Sequence, residues 1–496
     1  MTQSNTHNRS EDLGFPKYMT FCAVIAAISG FNVGWHISVP NMPEELITKC
    51  TEGTDPISGL PACLPMEGQT CYTIGAFALG GLFGSLATMF TNRIFGRRDN
   101  IMISCGWFIA GGLLSSVSIN IGMYSVGRAF VGIGAGMCGS SVAIYVSEVS
   151  TKKSRGALGS LFECFLNLGI LLTQVCGLYM SYGSVWRLLW AIPSFIAAIQ
   201  LVAILFLTVE CPRRLCAMQQ YDKARDALQR LRGDADIENE FQMLIDARQR
   251  EIESGTKMMS IIEVLMCKSR RVSWLTLIVC VVQAYNQVGG VGPMSVYSVG
   301  FFTDTFNGDN DLATKISLAN ATGNCVATFI ALATMHKVGR KGWMLISLLG
   351  QTIASVFIVI ASTLGNLPGL VITGAILFTF TYSTGCGVIP WLIAPELLPL
   401  YALPAGSALG NASNWATNFI INTCWPSMNA AMGTYSFTFF AGVNAFGFLF
   451  VLFFMPETTG KDLDHHDDKN GSTADSEHDV DHKSIEHHVD HVEVSK

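Results

Sequence analysis

The chain has 496 residues, of which 50% are hydrophobic and only 14% charged, and its mean hydropathy is +0.39. So little charge cannot coat a water-soluble body of this size, so lipid must cover much of it, and a soluble globular protein is excluded. The net charge of −6 comes largely from an acidic C-terminal tail and says little about partners.

The first 17 residues are polar and lack a short apolar core followed by a small-residue cleavage site, so the first apolar run reads as a retained span and not a signal peptide. From Tyr18 to Met455 long apolar runs recur, each near the roughly 20 residues a helix needs to cross a hydrocarbon core of about 30 Å. Twelve are expected, at 18–40, 72–91, 101–121, 123–147, 156–180, 185–208, 272–302, 312–337, 341–363, 368–394, 403–427 and 432–455. Lys and Arg collect in alternate connections: Arg93, Arg97 and Arg98; Lys152, Lys153 and Arg155; the 211–271 loop; and Lys337, Arg340 and Lys341. The positive-inside rule puts these in the cytoplasm, and an even span count puts both termini there too.

The expected organisation is therefore a cytoplasmic segment at 1–17, a six-helix half at 18–210, a cytoplasmic helical linker at 211–271, a second half at 272–457 and a tail at 458–496. Within the linker, Ala224 to Leu231 and Ile237 to Leu244 have helical spacing of apolar residues, as in short amphipathic helices. The tail is acidic and His-rich with almost no large apolar residues, so it is expected to be disordered. Its His465, His466, His478, His482, His487, His488 and His491 lie among carboxylates that would hold a divalent metal only loosely, and no metal site is assigned. Most of the 15 cysteines fall in apolar spans as small buried hydrophobes. Cys50, Cys63 and Cys71 sit in the outer 41–71 connection, where one disulfide would leave one thiol over.

Three charged signatures return in the second half. Gly96-Arg97-Arg98 is echoed by Gly339-Arg340-Lys341, Glu148 by Glu396, and Glu210 by Glu457, at offsets of 243, 248 and 247 residues (339 − 96, 396 − 148, 457 − 210). Near-constant offsets of this kind mark a duplication, the parallel-repeat plan of transporters whose solute site lies between the halves. Arg97, Arg98, Glu148, Arg155 and Glu210 in one half and Arg340, Lys341, Glu396 and Glu457 in the other are then candidates for a cytoplasmic gate whose pairs form in one state and break in the other. Anchoring by positive charge and complementing of helix ends is the plainer reading of any one of them.

With these residues in view, the chain resembles the sugar porter family of the major facilitator superfamily, which includes facilitative glucose transporters and fungal relatives. The resemblance rests on Gly96-Arg97-Arg98, GRAFVGIGAG at 127–136, YVSEVSTKKSRGALG at 145–159, VGRK at 338–341, IPWLIAPEL at 389–397 and PETTGK at 456–461, in the family's order. It implies an all-α membrane fold of twelve transmembrane helices in two six-helix halves, with a central hexose site. The family's site residues fall on Gln287, Asn324, Asn414, Trp391 and Trp415, with Glu163 at a span 5 position that usually holds Gln. Neutral amides suit sugar hydroxyls, which both donate and accept, and aromatic faces suit C–H surfaces. The alternative role of buried amides is gluing helices together. Gly292 stands where the family has Asn, and Ser383 where it has an acidic residue, which opens the site to another hexose, a polyol or a sugar with an amine.

Asn32 occupies the span 1 position at which proton-coupled relatives tend to carry Asp, which points to a facilitator. His36 follows one turn later, and an ionisable group within a span invites a functional reading. His36, Arg128 and Glu163 are thus the candidate proton-coupling set, if they lie together. The expectation is a transporter and not an enzyme, moving a sugar by alternating access and facilitated diffusion; a proton-coupled symporter and a transporter-like sensor without flux are the rivals. Its partners are the sugar and the lipid bilayer, with protons in the symport case; no cofactor and no nucleic acid are expected, and no P-loop is present. The plasma membrane is the expected residence, with a vacuolar or other internal membrane the alternative.

Overall fold

The computed structural model describes residues 13–41, 47, 59–64, 70–151, 153–182, 185–253, 258–306, 308–364, 367–399 and 401–458. The N-terminal dozen residues, Cys50, the Cys71 side chain and the tail beyond Thr458 with its seven histidines lie outside the described residues. Cys63 is disulfide-bonded.

Spans 1 to 6 are the helices Lys17–Ser38, Thr70–Ile94, Arg97–Ser116, Ile121–Val149, Leu161–Met180 and Trp186–Leu207. In the second half, spans 8, 9, 11 and 12 are Asn310–Val338, Arg340–Thr363, Leu403–Met432 and Ser436–Phe454. Span 7 is broken into Arg270–Val288, Val291–Ser295 and Ser298–Thr305, and span 10 into Pro368–Thr384 and Ile389–Leu397. Among the described residues nine helical stretches are long and apolar enough by themselves to cross a membrane. The three remaining crossings, spans 3, 7 and 11, are diluted by polar residues: Arg97, Arg98 and Asp99 open span 3, Gln283, Asn286 and Gln287 end the first segment of span 7, and five asparagines run along span 11. Four of those in span 11 (Asn411, Asn414, Asn418 and Asn422) are buried.

The breaks in spans 7 and 10 depart from the continuous helices expected at 272–302 and 368–394, and both have a local cause. Gly290 is left-handed, at φ +108°, which only glycine adopts without strain. Span 10 is interrupted at Gly385-Cys386-Gly387, with Pro390 opening the segment that follows. Freed backbone groups inside a bilayer need partners. Here Asn286 donates to the Cys386 carbonyl (2.8 Å) and the Cys386 N–H donates to Ser347 Oγ (3.0 Å).

Glycine brings the helices of the first half together. Gly80 and Gly84 on span 2 face Ala129 and Ile133 on span 4, while Gly132 and Gly136 on span 4 face Phe77 and Gly81 on span 2. These are two small-xxx-small patterns laid against each other, the packing that lets helix backbones approach in lipid. Gly30 and Gly34 on span 1 make the same approach to the backbone of span 5 at Phe162 and Leu166.

Four short helices, Pro212–Ala217, Tyr221–Arg232, Glu238–Glu253 and Ile261–Leu265, lie between the halves in sequence and mark one end of the bundle, called here the linker end. Arg232 docks them on the first half by donating to the Val149 carbonyl (2.8 Å) while pairing with Glu240 (2.6 Å). Ser260 and Glu263 form a capping box on the last of them, and the exposed Lys268, bonded to Glu263, holds that carboxyl down at about 2.

A Cβ at position 136 would fall inside the Gly81 carbonyl on the facing helix. Gly136→Ala is therefore expected to cost about 1–3 kcal/mol by forced separation of spans 2 and 4, seen as a lowered melting temperature in detergent, whereas Gly106→Ala, with nothing within 4 Å, leaves it unchanged.

Candidate solute-binding site

The polar residues that interrupt spans 7 and 11, the break in span 10 and one carboxyl on span 5 meet at a central cavity between the halves. Its lining includes Glu163, Asn167, Asn286, Gln287, Asn324, Tyr382, Trp391, Asn414, Trp415 and Asn418, with Val33, Ile37, Leu166 and Ile170 supplying an apolar wall from the first half. All six residues expected to hold the solute from the sequence (Glu163, Gln287, Asn324, Trp391, Asn414 and Trp415) are in this lining. Asn167, Tyr382 and Asn418 were not anticipated. Asn167 and Asn418 lie one helical turn after Glu163 and Asn414, so helical periodicity was the signal that would have found them; nothing in the sequence singled out Tyr382.

On the second-half side the amides form a connected chain. Gln287 Nε2 donates to Asn286 Oδ1 (2.6 Å) and Asn414 Oδ1 (3.2 Å), Asn414 Nδ2 donates to Asn286 Oδ1 (3.0 Å) and Gln283 Oε1 (3.0 Å), and Asn418 Nδ2 donates to Gln287 Oε1 (2.9 Å). Ser383 hydrogen bonds to Asn324 Oδ1, tying span 10 to span 8 where the family's acidic residue is missing. At Gly292, a Cβ would collide with Asn422 Oδ1, so the space left by the missing side chain is taken by an amide from span 11. Such a network orients each amide and leaves it able to exchange partners with an entering hydroxyl.

Two tryptophans close the cavity. Trp415 stacks edge-on against Phe77 of the first half (5.2 Å between centroids), and Trp391 packs on Phe162 (5.0 Å). The indole N–H groups of both have no hydrogen-bond partner among the described residues. Trp391 also lines a second, smaller cavity towards the linker end, with Gly139, Ser140, Gln283, Pro390 and Asn411, and so partitions the two. The central cavity gives the centres of water molecules about 50 Å³, room for a few waters at about 10–15 Å³ each.

Contacts between the halves flank the cavity on both sides. At the linker end Asn411 Nδ2 donates to the Gly136 carbonyl (2.8 Å) and Ser140 Oγ (3.1 Å). At the opposite end Asn41 Nδ2 donates to Ser298 Oγ (3.0 Å) and Ser317 Oγ donates to Gln174 Oε1 (3.4 Å). Both sets are few and neutral, the kind of contact that can be exchanged at low cost.

At the linker end Arg97 and Arg340 each pair with a carboxylate of their own half, a different arrangement from the gate pairs expected to close the inner side. Arg97 pairs with Glu148 (3.0 Å) and Arg340 with Glu396 (2.8 Å). Glu210 accepts from the backbone N–H groups of Arg98 (3.4 Å) and Cys211 (2.9 Å), and Glu457 from those of Arg340 (3.0 Å) and Lys341 (3.1 Å). Burial pushes the Glu210 carboxyl up and these amides pull it back. The Arg98 guanidinium covers the carbonyls of Ile204 (2.9 Å) and Leu205 (2.7 Å), and Lys341 Nζ that of Leu452 (2.8 Å). Each half thus satisfies the orphan groups at the end of span 6 or 12 and the start of span 3 or 9 with the same residue types. Gly96 and Gly339, at φ +107° and +81°, make room for Glu210 and Glu457. Arg155 donates to the Ser147 carbonyl (3.2 Å). Arg340 also approaches Gly156 of the other half, where an added Cβ would lie 3.2 Å from its Nη2.

His36 is fully buried and does not line the cavity. Its ring stacks between Phe108 and Trp190 (6.1 Å each), and Arg128 Nη1 donates to its backbone carbonyl (2.8 Å) while the guanidinium lies over Phe77 (4.5 Å) and Trp190 (5.1 Å). Asn32 faces the same side and donates to Gln200 Oε1 (3.5 Å). The expected set of His36, Arg128 and Glu163 is therefore split: the first two share an aromatic pocket among spans 1, 3, 4 and 6, and Glu163 alone reaches the cavity.

The two repeat-related pairs differ in quality. Arg340 engages Glu396 through both Nε and Nη2, whereas Arg97 uses Nη2 alone and its Nε has no hydrogen-bond partner among the described residues. Lysine cannot reproduce a bidentate fork. Arg340→Lys is expected to lower thermal stability by about 1 kcal/mol more than Arg97→Lys, a difference readable from melting curves of the two variants side by side.

A family model described as sugar (and other) transporter matches residues 22–469. Among curated proteins, the facilitated glucose transporter member 3 of Oryctolagus cuniculus is 30% identical over 456 residues, covering 90% of each chain. That of Rattus norvegicus is 31% identical over 458 residues, covering 89% of this chain and 91% of its own. Among solved structures, the proton:xylose symporter XylE bound to 6-bromo-6-deoxy-D-glucose superposes with a TM-score of 0.76 at 18% identity, over 90% of this chain and 98% of that one. A partially occluded inward-open form of the E. coli xylose transporter gives 0.71 at 17% identity, over 89% and 100%. At these identities the structures speak for the fold.

Proposed function

Because the chain belongs to the sugar (and other) transporter family, we propose that it carries a hexose across its membrane by alternating access, as a facilitator. The observation that carries this reading is the cavity between the halves, where a connected set of neutral amides faces an apolar wall and two indole N–H groups stand ready as donors. Hydroxyls of a sugar exchange hydrogen bonds with Gln287, Asn324, Asn414 and Asn418, and its C–H faces rest on Trp391 and Trp415. Binding draws the halves together around the solute, and the neutral contacts of Asn411 at one end or Asn41 at the other then release. The salt bridges at the linker end stay intact throughout and keep each half rigid. Trp391 is the movable partition through which the sugar passes to the smaller cavity.

The linker end faces the cytoplasm in this reading, since the basic connections cluster there, and both termini lie on the same side. The halves are taken as 18–210 and 272–457, joined by the 211–271 linker, and the plasma membrane as the place of residence. Facilitation is supported by neutral Asn32 and by the enclosure of His36 away from the cavity. Proton symport is the second reading, favoured by the single carboxyl, Glu163, that does reach the solute space.

Uptake of radiolabelled hexoses, pentoses and inositol into proteoliposomes tests the proposal. A saturable hexose flux, unchanged when the outside is acidified by one pH unit and unaccompanied by proton influx, is the expected result. Proton influx locked to sugar would establish symport, and sugar binding with no flux of any kind would mark a sensor.

A further inference from the structure

Among the described residues, the cavity lining holds one carboxyl, that of Glu163, and no lysine, arginine or histidine. Glu163 is 2% exposed; its Oε1 accepts from Asn167 Nδ2 (3.1 Å), and its Oε2 has no hydrogen-bond partner among the described residues. The indole of Trp391 approaches the same carboxyl without reaching hydrogen-bond geometry. Asn167 is itself held by Thr328 Oγ1 across the interface between the halves (2.8 Å). Gly387 on the broken part of span 10 lies close beside the carboxyl, since a Cβ there would press on Oε1 at 3.2 Å.

An uncompensated carboxylate buried inside a protein is expensive, and leaving an acceptor oxygen unmet adds to the cost. The amide that would do the neutral-sugar job at this position is isosteric with glutamate, so size gives no reason for the acid. A donor bearing positive charge gives one. A protonated amine offers three N–H donors and no acceptor, and matches a carboxylate with a free oxygen better than a hydroxyl does.

We infer that the cavity selects hexoses carrying a basic amine, which it holds against Glu163 Oε2. This inference rests on the hexose-transport reading above and narrows its substrate class. The amine and the carboxyl enter the occluded state as a neutralised pair, with the remaining hydroxyls on the amide chain of spans 7 and 11 as for any hexose. N-acetylation removes both the charge and two donors, so the acetylated sugar loses the advantage.

The test compares D-glucose with its 2-amino-2-deoxy, 3-amino-3-deoxy and 6-amino-6-deoxy counterparts and with N-acetylglucosamine, first as competitors of glucose counterflow in proteoliposomes and then by calorimetric binding to the purified protein. At least one amino sugar is expected to outcompete glucose roughly tenfold or more, the size of one charge-assisted hydrogen bond. Glu163→Gln brings that ratio close to one, and Glu163→Asp, which keeps the charge but retracts it, gives an intermediate ratio. A ratio near one in the native protein, or a ratio that Glu163→Gln does not move, overturns the inference. So does a Glu163→Gln variant that loses only proton-linked uptake. Hexose flux without amine preference leaves the transport reading standing and removes this one. Amine-dependent binding through Glu163 without flux of any sugar does the reverse.

Discussion

Hydrocarbon offers no hydrogen bonds, so the backbone polar groups of a bilayer-spanning chain must be met by other parts of the protein, and polar side chains are driven away from lipid. That constraint organises this molecule. The asparagines and glutamines of spans 7 and 11 cannot face lipid, so they turn towards the seam between the halves and bond to one another. The broken backbone of span 10 is met by Asn286 and Ser347 at the same seam. A polar cavity at the centre of an apolar bundle follows, and with it a place where a hydroxylated solute can substitute for the protein's own partners.

The same constraint separates what is rigid from what can move. Strong, charged interactions are spent within a half: Arg97 with Glu148, Arg340 with Glu396, and carboxylates on the helix starts of spans 3 and 9. Glycine seams between spans 2 and 4 and between spans 1 and 5 add close backbone packing in the first half. Weak, neutral interactions are left to the contacts between halves at Asn411 and Asn41. Two stiff bodies joined by exchangeable contacts are what rocking about a central site requires.

Much of this was legible in the sequence, and the rest was hidden for physical reasons. Span count follows from apolar length, and the repeat from the recurrence of Arg97, Glu148 and Glu210 as Arg340, Glu396 and Glu457. The convergence of Gln287, Asn324, Asn414 and the two tryptophans came from motif resemblance, and the structure brings them together. Hidden was which way a helix is rotated. His36 and Glu163 both sit within spans as ionisable residues, yet one turns into an aromatic pocket with Arg128 and the other into the cavity. Partner choice was hidden as well: the basic signatures find carboxylates on their own half because those carboxylates sit at adjoining helix ends. The breaks at Gly290 and Gly385–Gly387 were signalled by glycine, but long apolar runs read as continuous where tertiary partners rescue the backbone.

The claim on which all this depends is that the halves open one side at a time about the central cavity. Cysteines placed at Asn41 and Ser298, whose side chains meet across the halves (3.0 Å), allow that end to be locked by an oxidant and released by a reductant. With the lock closed, solute flux should stop while a label reaches a cysteine at Asn414 from the linker end alone, and reduction should restore flux. Flux that continues at the native rate with the crosslink fully formed would contradict the account.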